Sequence, residues 1–136
     1  MTLESPEKKH RIRSFVRREG RMTDAQKNAL SDLWPRYGND VASGLFDFDT
    51  RFKVNGPRVL EIGFGMGTSL VSMAKALPTH RFLGVEVHRP GVGKCLSELA
   101  RFDLDNVQVY CHDAVDVLRD CIKDHDLDCI QIFFPD

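Results

Sequence analysis

Apolar and polar positions change period along this chain, and the changes mark its elements. Residues 1–21 carry no sustained apolar period, with Ile12, Phe15 and Val16 as their anchor. After Thr23 a helical stripe begins: Ala25, Ala29, Leu30, Leu33 and Trp34 recur on one face. Thr23 suits an N-cap and Gln26 completes a capping box, while Pro35 and Gly38 predict the end of the helix. Residues 38–57 mix Gly, Asn, Asp and Pro with scattered Phe and Leu, and read as a connecting loop.

From Arg58 the pattern becomes short apolar runs alternating with helical stripes. Strands are expected at 58–62, 81–87, 107–111 and 127–134. Helices are expected at 68–77, closed by Pro78, at 92–102 with Val92, Leu96, Leu99 and Ala100 on one side, and at 114–122. Alternating strands and helices predict an α/β fold with a doubly wound parallel sheet, in strand order 3-2-1-4. That order leaves the fourth strand as an exposed apolar edge. The expected division is a basic arm (1–22), an N-terminal helix and loop (23–57), and the sheet-bearing segment (58–136).

Composition narrows the class. The 136 residues are 42% hydrophobic and 29% charged, as in soluble globular chains. No run approaches the roughly 18 apolar residues of a membrane span, and no secretory signal pattern opens the chain. Cys95, Cys111, Cys121 and Cys129 lack a Cys-x-x-Cys pair. They read as reduced core or near-core thiols of a cytoplasmic protein, with no metal site. The net charge of -1 hides an asymmetry. Residues 1–21 hold seven basic side chains against three acidic, and the rest hold twelve against seventeen. The arm suits an anionic partner or a solvated tail equally on charge alone.

The candidate chemistry lies in Glu61-Ile62-Gly63-Phe64-Gly65-Met66-Gly67, between the first strand and its helix. Glycines there admit positive φ and the close approach of a ligand, and the helix beyond offers unpaired N–H groups. A dinucleotide loop requires G-x-G-x-x-G, whose last glycine would fall on Thr68. The spacing G-x-G-x-G instead resembles motif I of class I S-adenosylmethionine-dependent methyltransferases. Glu86, ending the second strand, is placed to accept from ribose hydroxyls, or is an ordinary strand-end carboxylate. Asp113, after the third strand, fits an adenine contact or a helix N-cap, roles that are compatible.

The motifs Leu60–Gly67, Gly84-Val85-Glu86-Val87-His88, Cys111-His112-Asp113-Ala114 and Phe133-Phe134-Pro135-Asp136 occur in order. Together with Arg13–Arg21, Trp34-Pro35 and Pro90-Gly91-Val92-Gly93, they resemble the bacterial tRNA (guanine-N7)-methyltransferase family of the TrmB type. The resemblance implies a Rossmann-like fold and methyl transfer from S-adenosyl-L-methionine to N7 of a guanosine in the tRNA variable loop, position 46. It implies cofactor contacts at Glu61, Gly63, Gly65, Gly67, Glu86, Asp113, Ala114 and Asp136, with Asp136 also the active-site aspartate. The arm then gains a partner in tRNA, with Arg13, Arg17, Arg18 and Arg21 as contacts.

The chain stops at Asp136, where the family's pattern continues through a Pro-Trp, a basic stretch and further strands. The C-terminal part of the domain is therefore expected to be absent, and the isolated chain to have little or no activity. Competing classes are a methyltransferase of another substrate and a non-enzymatic nucleotide-binding module. Monomer and homodimer are equally compatible with the sequence.

Overall fold

Thr23 starts the first helix as its side chains predict. In the computed structural model, which describes residues 21–132, helix α1 spans Asp24–Tyr37. The Thr23 hydroxyl accepts the Gln26 N–H at 3.1 Å, and the Gln26 side chain accepts the Thr23 N–H at 3.0 Å. The helix runs two residues past Pro35, because proline sits in the last turn and Gly38 N–H still bonds to the Trp34 carbonyl. Ala29 is buried, and Leu30, Leu33 and Trp34 pack on the core. Ala25 is exposed, one position round from the contact face that runs through Gln26 and Ala29. Met22, placed in the arm by the sequence, is buried.

Residues 38–57 are more than a loop. Strand β1 (Gly38–Asn39) pairs with a later strand, a 3-10 turn covers Val41–Ser43, and helix α2 covers Phe48–Arg51. Asp47 caps α2 by accepting the N–H groups of Asp49 and Thr50. Phe46, Phe48 and Phe52 are buried here as a ring cluster, with Phe46 edge-on to Phe48 at 4.7 Å between centroids. Phe46 and Phe48 stand two apart and Phe48 and Phe52 four apart, so no single period runs through the three, and the sequence pattern concealed them.

The remaining elements are β2 (Arg58–Ile62), α3 (Thr68–Ala76), β3 (Arg81–Val85), α4 (Arg89–Arg101), β4 (Val107–Tyr110), α5 (Ala114–Cys121) and β5 (Cys129–Ile132). All sheet pairings are parallel, in the order β1-β4-β3-β2-β5. The four expected strands keep their 3-2-1-4 order, with β1 added beyond β4. Two ends move for visible reasons. Helix α4 begins before residue 92 because the His88 ring accepts the Gly91 N–H, and Pro90 occupies a first-turn position that needs no donor. Strand β3 stops at Val85 because the Glu86 carboxylate takes the N–H groups of Val87 and His88.

Both faces of the sheet are covered over β2, β3 and β4, as buried parallel strands require. On one, Val59, Phe82, Val107 and Val109 meet α1, α3 and α4. On the other, Leu60, Leu83, Val85 and Tyr110 meet α5 and the phenylalanine cluster. Among the described residues β5 pairs with β2 alone, and Ile130 and Ile132 are about half exposed, at 51% and 52%. The cysteines are free thiols. Cys95 and Cys121 are buried and Cys111 is partly so. Cys129 is exposed because it lies on this edge, contrary to the expectation of a near-core thiol. No helix among the described residues is long and apolar enough to cross a membrane.

Candidate cofactor site

Strand β2 delivers the glycine loop to the C-terminal edge of the sheet, beside the end of β3. Gly63 N–H bonds back to the Val85 carbonyl at 2.7 Å, which anchors the loop's entry. Gly63, Gly65 and Gly67 have φ of 79°, 63° and 83°, the left-handed region that other residues rarely adopt. Gly67 is the N-cap of α3 and supplies no capping side chain, so the helix's first N–H groups face the loop without a side-chain cap. Thr68, where a dinucleotide loop would place its last glycine, is the first residue of α3.

The loop is backed by α4. A Cβ on Gly91 would lie 2.4 Å from the Gly65 carbonyl oxygen, so only glycine lets α4 approach this closely. The Cys95 thiol fills the space behind Gly67, where an added Cβ would lie 2.4 Å from its sulfur. A Cβ on Gly65, in contrast, would meet nothing within 4 Å. The cradle is packed tightly on its inner side and open at Gly65. The sequence offered Pro90-Gly91-Val92-Gly93 without its purpose, and Cys95 as a core or near-core thiol without its place behind the loop. The paired glycines were the available signal.

Three carboxylates expected at the site have different surroundings. Glu86 accepts the Gly65 N–H at 2.7 Å through one oxygen, and those of Val87 and His88 at 3.0 and 2.9 Å through the other. A carboxylate offers about four acceptor positions, so these bonds leave roughly one for a ligand hydroxyl. Asp113 caps α5 by accepting the Val115 N–H at 2.9 Å, with Ala114 as the first helical residue. Glu61 is fully buried, and neither carboxylate oxygen has a hydrogen-bond partner among the described residues. Burial pushes its carboxyl up to about 7, since ionisation there goes unsolvated.

Beside this cradle, a groove of about 460 Å³ lies between α1 and the start of α4, lined by Lys27, Ser31, Trp34, Arg89 and Cys111 among others. Arg21 is exposed at the start of the described residues. Arg13, Arg17, Arg18 and Asp136 lie outside the described residues. Among the described residues no cluster of three His, Cys, Asp or Glu side chains is placed to hold a metal ion.

The orphaned Glu61, the left-handed glycines and the open face at Gly65 fit a cationic, extended ligand laid across the loop. Comparison with known proteins gives the family. A family model described as "putative methyltransferase" matches residues 55–136, a span that holds Glu61, the glycine loop, Glu86 and Asp113. A methyltransferase of this kind takes S-adenosylmethionine as its cofactor. A putative methyltransferase of Thermoplasma acidophilum shares the fold, with a TM-score of 0.50 and 27% identity over 61% of this chain and 35% of that one. The tRNA (guanine-N(7)-)-methyltransferase of Salmonella choleraesuis (strain SC-B67) is 53% identical over 93% of this chain and 53% of its own. That of Stutzerimonas stutzeri (strain A1501) is 54% identical over 92% and 52%. The chain spans about half the length of the curated relatives it matches. With the cofactor loop, the parallel sheet and this identity over nearly all its residues, the chain belongs to the tRNA (guanine-N7)-methyltransferase family.

Proposed function

We propose that the complete protein transfers a methyl group from S-adenosylmethionine to N7 of a guanosine in the tRNA variable loop, position 46. In this reading residues 58–132 hold the cofactor, and the protein works in the cytoplasm, where tRNA is modified. The observation that carries the reading is the cradle at the end of β2. It combines three left-handed glycines, an open approach at Gly65 and a buried carboxylate with no partner.

The roles follow from the geometry and the chemistry. Gly63, Gly65 and Gly67 admit the methionine part of the cofactor, with Glu61 beneath. Glu86 holds the loop and offers its remaining acceptor position to the ribose. Asp113 fixes the start of α5, so that it and Ala114 border the adenine. Bound there, the sulfonium supplies an electrophilic methyl group. Guanine N7 carries a lone pair and no proton, so the chain needs no strong general base, and rate comes from in-line positioning. Asp136 is assigned to orienting the guanine by accepting from its N1–H and N2–H. Arg13, Arg17, Arg18 and Arg21 are assigned to tRNA phosphates.

The test is methyl transfer by the complete protein to unmodified tRNA, followed by N7-specific chain cleavage. Cleavage at a variable-loop guanosine is expected. Methylation with no such cleavage would remove the substrate from this reading.

A further inference from the structure

Helix α1 does more than cover the sheet. Lys27, Ser31 and Trp34 are spaced four and three residues apart, so they lie along one face of it. With Leu30, they form one wall of the 460 Å³ groove, and Arg89 of α4 and Cys111 after β4 form the other. The walls are held firmly. A Cβ on Gly93 would lie 2.8 Å from the Gln26 carbonyl oxygen, so α1 and α4 touch at the level of the backbone. The Trp34 ring lies over Gly38, where an added Cβ would come within 2.0 Å of it.

The groove differs in charge from the body around it. Beyond residue 21 the chain holds seventeen acidic side chains against twelve basic. Arg36, Arg58 and Arg119 each pair with carboxylates. Lys27 is exposed and pairs with no carboxylate among the described residues, and no described carboxylate lines the groove. Lys27 therefore brings positive charge to it, with the Arg89 guanidinium on the facing wall.

A cation, a hydroxyl and an aromatic ring beside apolar surface match one nucleotide of an unpaired RNA strand, phosphate on the cation and base against the ring. The volume falls within the range of about 300–1,000 Å³ common to small-ligand sites. The position fits as well. Arg89 follows closely on Glu86, and Cys111 shortly precedes Asp113, so the groove opens beside the cofactor cradle. Met22, which follows the basic arm in sequence, also lines it.

We propose that this groove is a subsite for a nucleotide of the substrate strand adjacent to the methylated guanosine, with Lys27 on its phosphate and Trp34 against its base. The proposal rests on the tRNA-methyltransferase reading above. A nucleotide held here fixes the strand beside the cofactor without meeting the transferred methyl group, so its loss falls on substrate binding and not on the chemical step.

Two measurements test this. Trp34 is the single tryptophan of the 136 residues, so fluorescence of this chain reports on the groove. Unmodified tRNA should quench it saturably, and S-adenosylhomocysteine alone should not. In methyl transfer by the complete protein, Lys27→Gln should raise KM for tRNA about three- to tenfold, with the loss absent from kcat and from KM for S-adenosylmethionine. Lys53→Gln removes the same charge near Asp105, at the opposite end of the sheet, and should leave KM for tRNA as it was. An unchanged KM in Lys27→Gln, or an equal rise in Lys53→Gln, overturns the subsite and leaves the methyl-transfer reading standing. Absence of quenching by tRNA does the same. Quenching by S-adenosylhomocysteine alone would assign the groove to the cofactor, and equal quenching by guanosine monophosphate would make it a mononucleotide site; either overturns the proposal. A native complete protein that methylates no tRNA overturns both readings.

Discussion

The Glu86 carboxylate accepts the Gly65 N–H at 2.7 Å, joining residues 21 positions apart across the ends of β2 and β3. This bond ties the most open point of the glycine loop to the neighbouring strand. The same side chain turns the chain out of β3 by holding Val87 and His88. Glu86 is therefore part of the loop's architecture as well as the candidate ribose contact.

Replacing it should affect both roles. Glu86→Gln keeps one acceptor oxygen but loses the charge-assisted bonds, and is expected to cost about 1–3 kcal/mol of stability. Affinity for S-adenosylhomocysteine is expected to fall about tenfold or more, measured by calorimetry. A destabilised variant with unchanged affinity would restrict Glu86 to the structural role.

Two glycine substitutions separate packing from access. Gly91→Ala places a methyl group 2.4 Å from the Gly65 carbonyl oxygen and should destabilise the fold by roughly 1–3 kcal/mol in urea unfolding. Gly65→Ala meets no atom within 4 Å, and its fold cost is limited to left-handed strain of about 1–2 kcal/mol. Its added methyl group lies on the open side, so its larger effect should be on cofactor affinity. Equal affinity for Gly65→Ala and the native chain would remove the open face from the binding site.

The strand order and the glycine loop were legible in the sequence because each rests on a short local pattern. Alternating apolar runs predicted a parallel sheet, and the spacing from Gly63 to Gly67 excluded the dinucleotide loop. The capping box at Thr23 and Gln26 was equally local, and the structure forms it. What escaped depends on residues distant in sequence. Phe46, Phe48 and Phe52 become a core only when α5 and β4 close over them. Gly91 and Cys95 gain their meaning from the loop more than 20 residues earlier. Glu61 and Glu86 look alike as letters in a motif, yet one is orphaned and the other holds three N–H groups.

The buried Glu61 should make stability depend on pH in a stated direction. Its carboxyl is raised in the folded protein from an ordinary value near 4.5 to about 7. Between those values the unfolded chain gives up its proton first, so this group's contribution to stability declines as pH rises and levels off above about 7. Glu61→Gln removes that penalty. It should match the native chain near pH 4.5 and be more stable by about 3 kcal/mol at pH 8, in urea unfolding of the free protein. A variant less stable at pH 8 would show that ionised Glu61 has a partner.

The basic arm makes a separate prediction for tRNA. A complete protein beginning at Met22 lacks all seven basic residues of 1–21. The slope of log affinity against log salt should become shallower by about 0.9 for every duplex phosphate that the arm neutralises. An unchanged slope would remove Arg13, Arg17, Arg18 and Arg21 from the interface.

The central claim is that the ends of β2 and β3 form a cradle for an S-adenosyl cofactor and refuse a dinucleotide. Calorimetric titration of the 136-residue chain with S-adenosylhomocysteine and with NAD tests it most directly. Saturable binding of S-adenosylhomocysteine, weakened by Gly65→Ala, with no heat from NAD, is the expected result. Binding of NAD at this site, or no binding of S-adenosylhomocysteine by the folded chain, would contradict it.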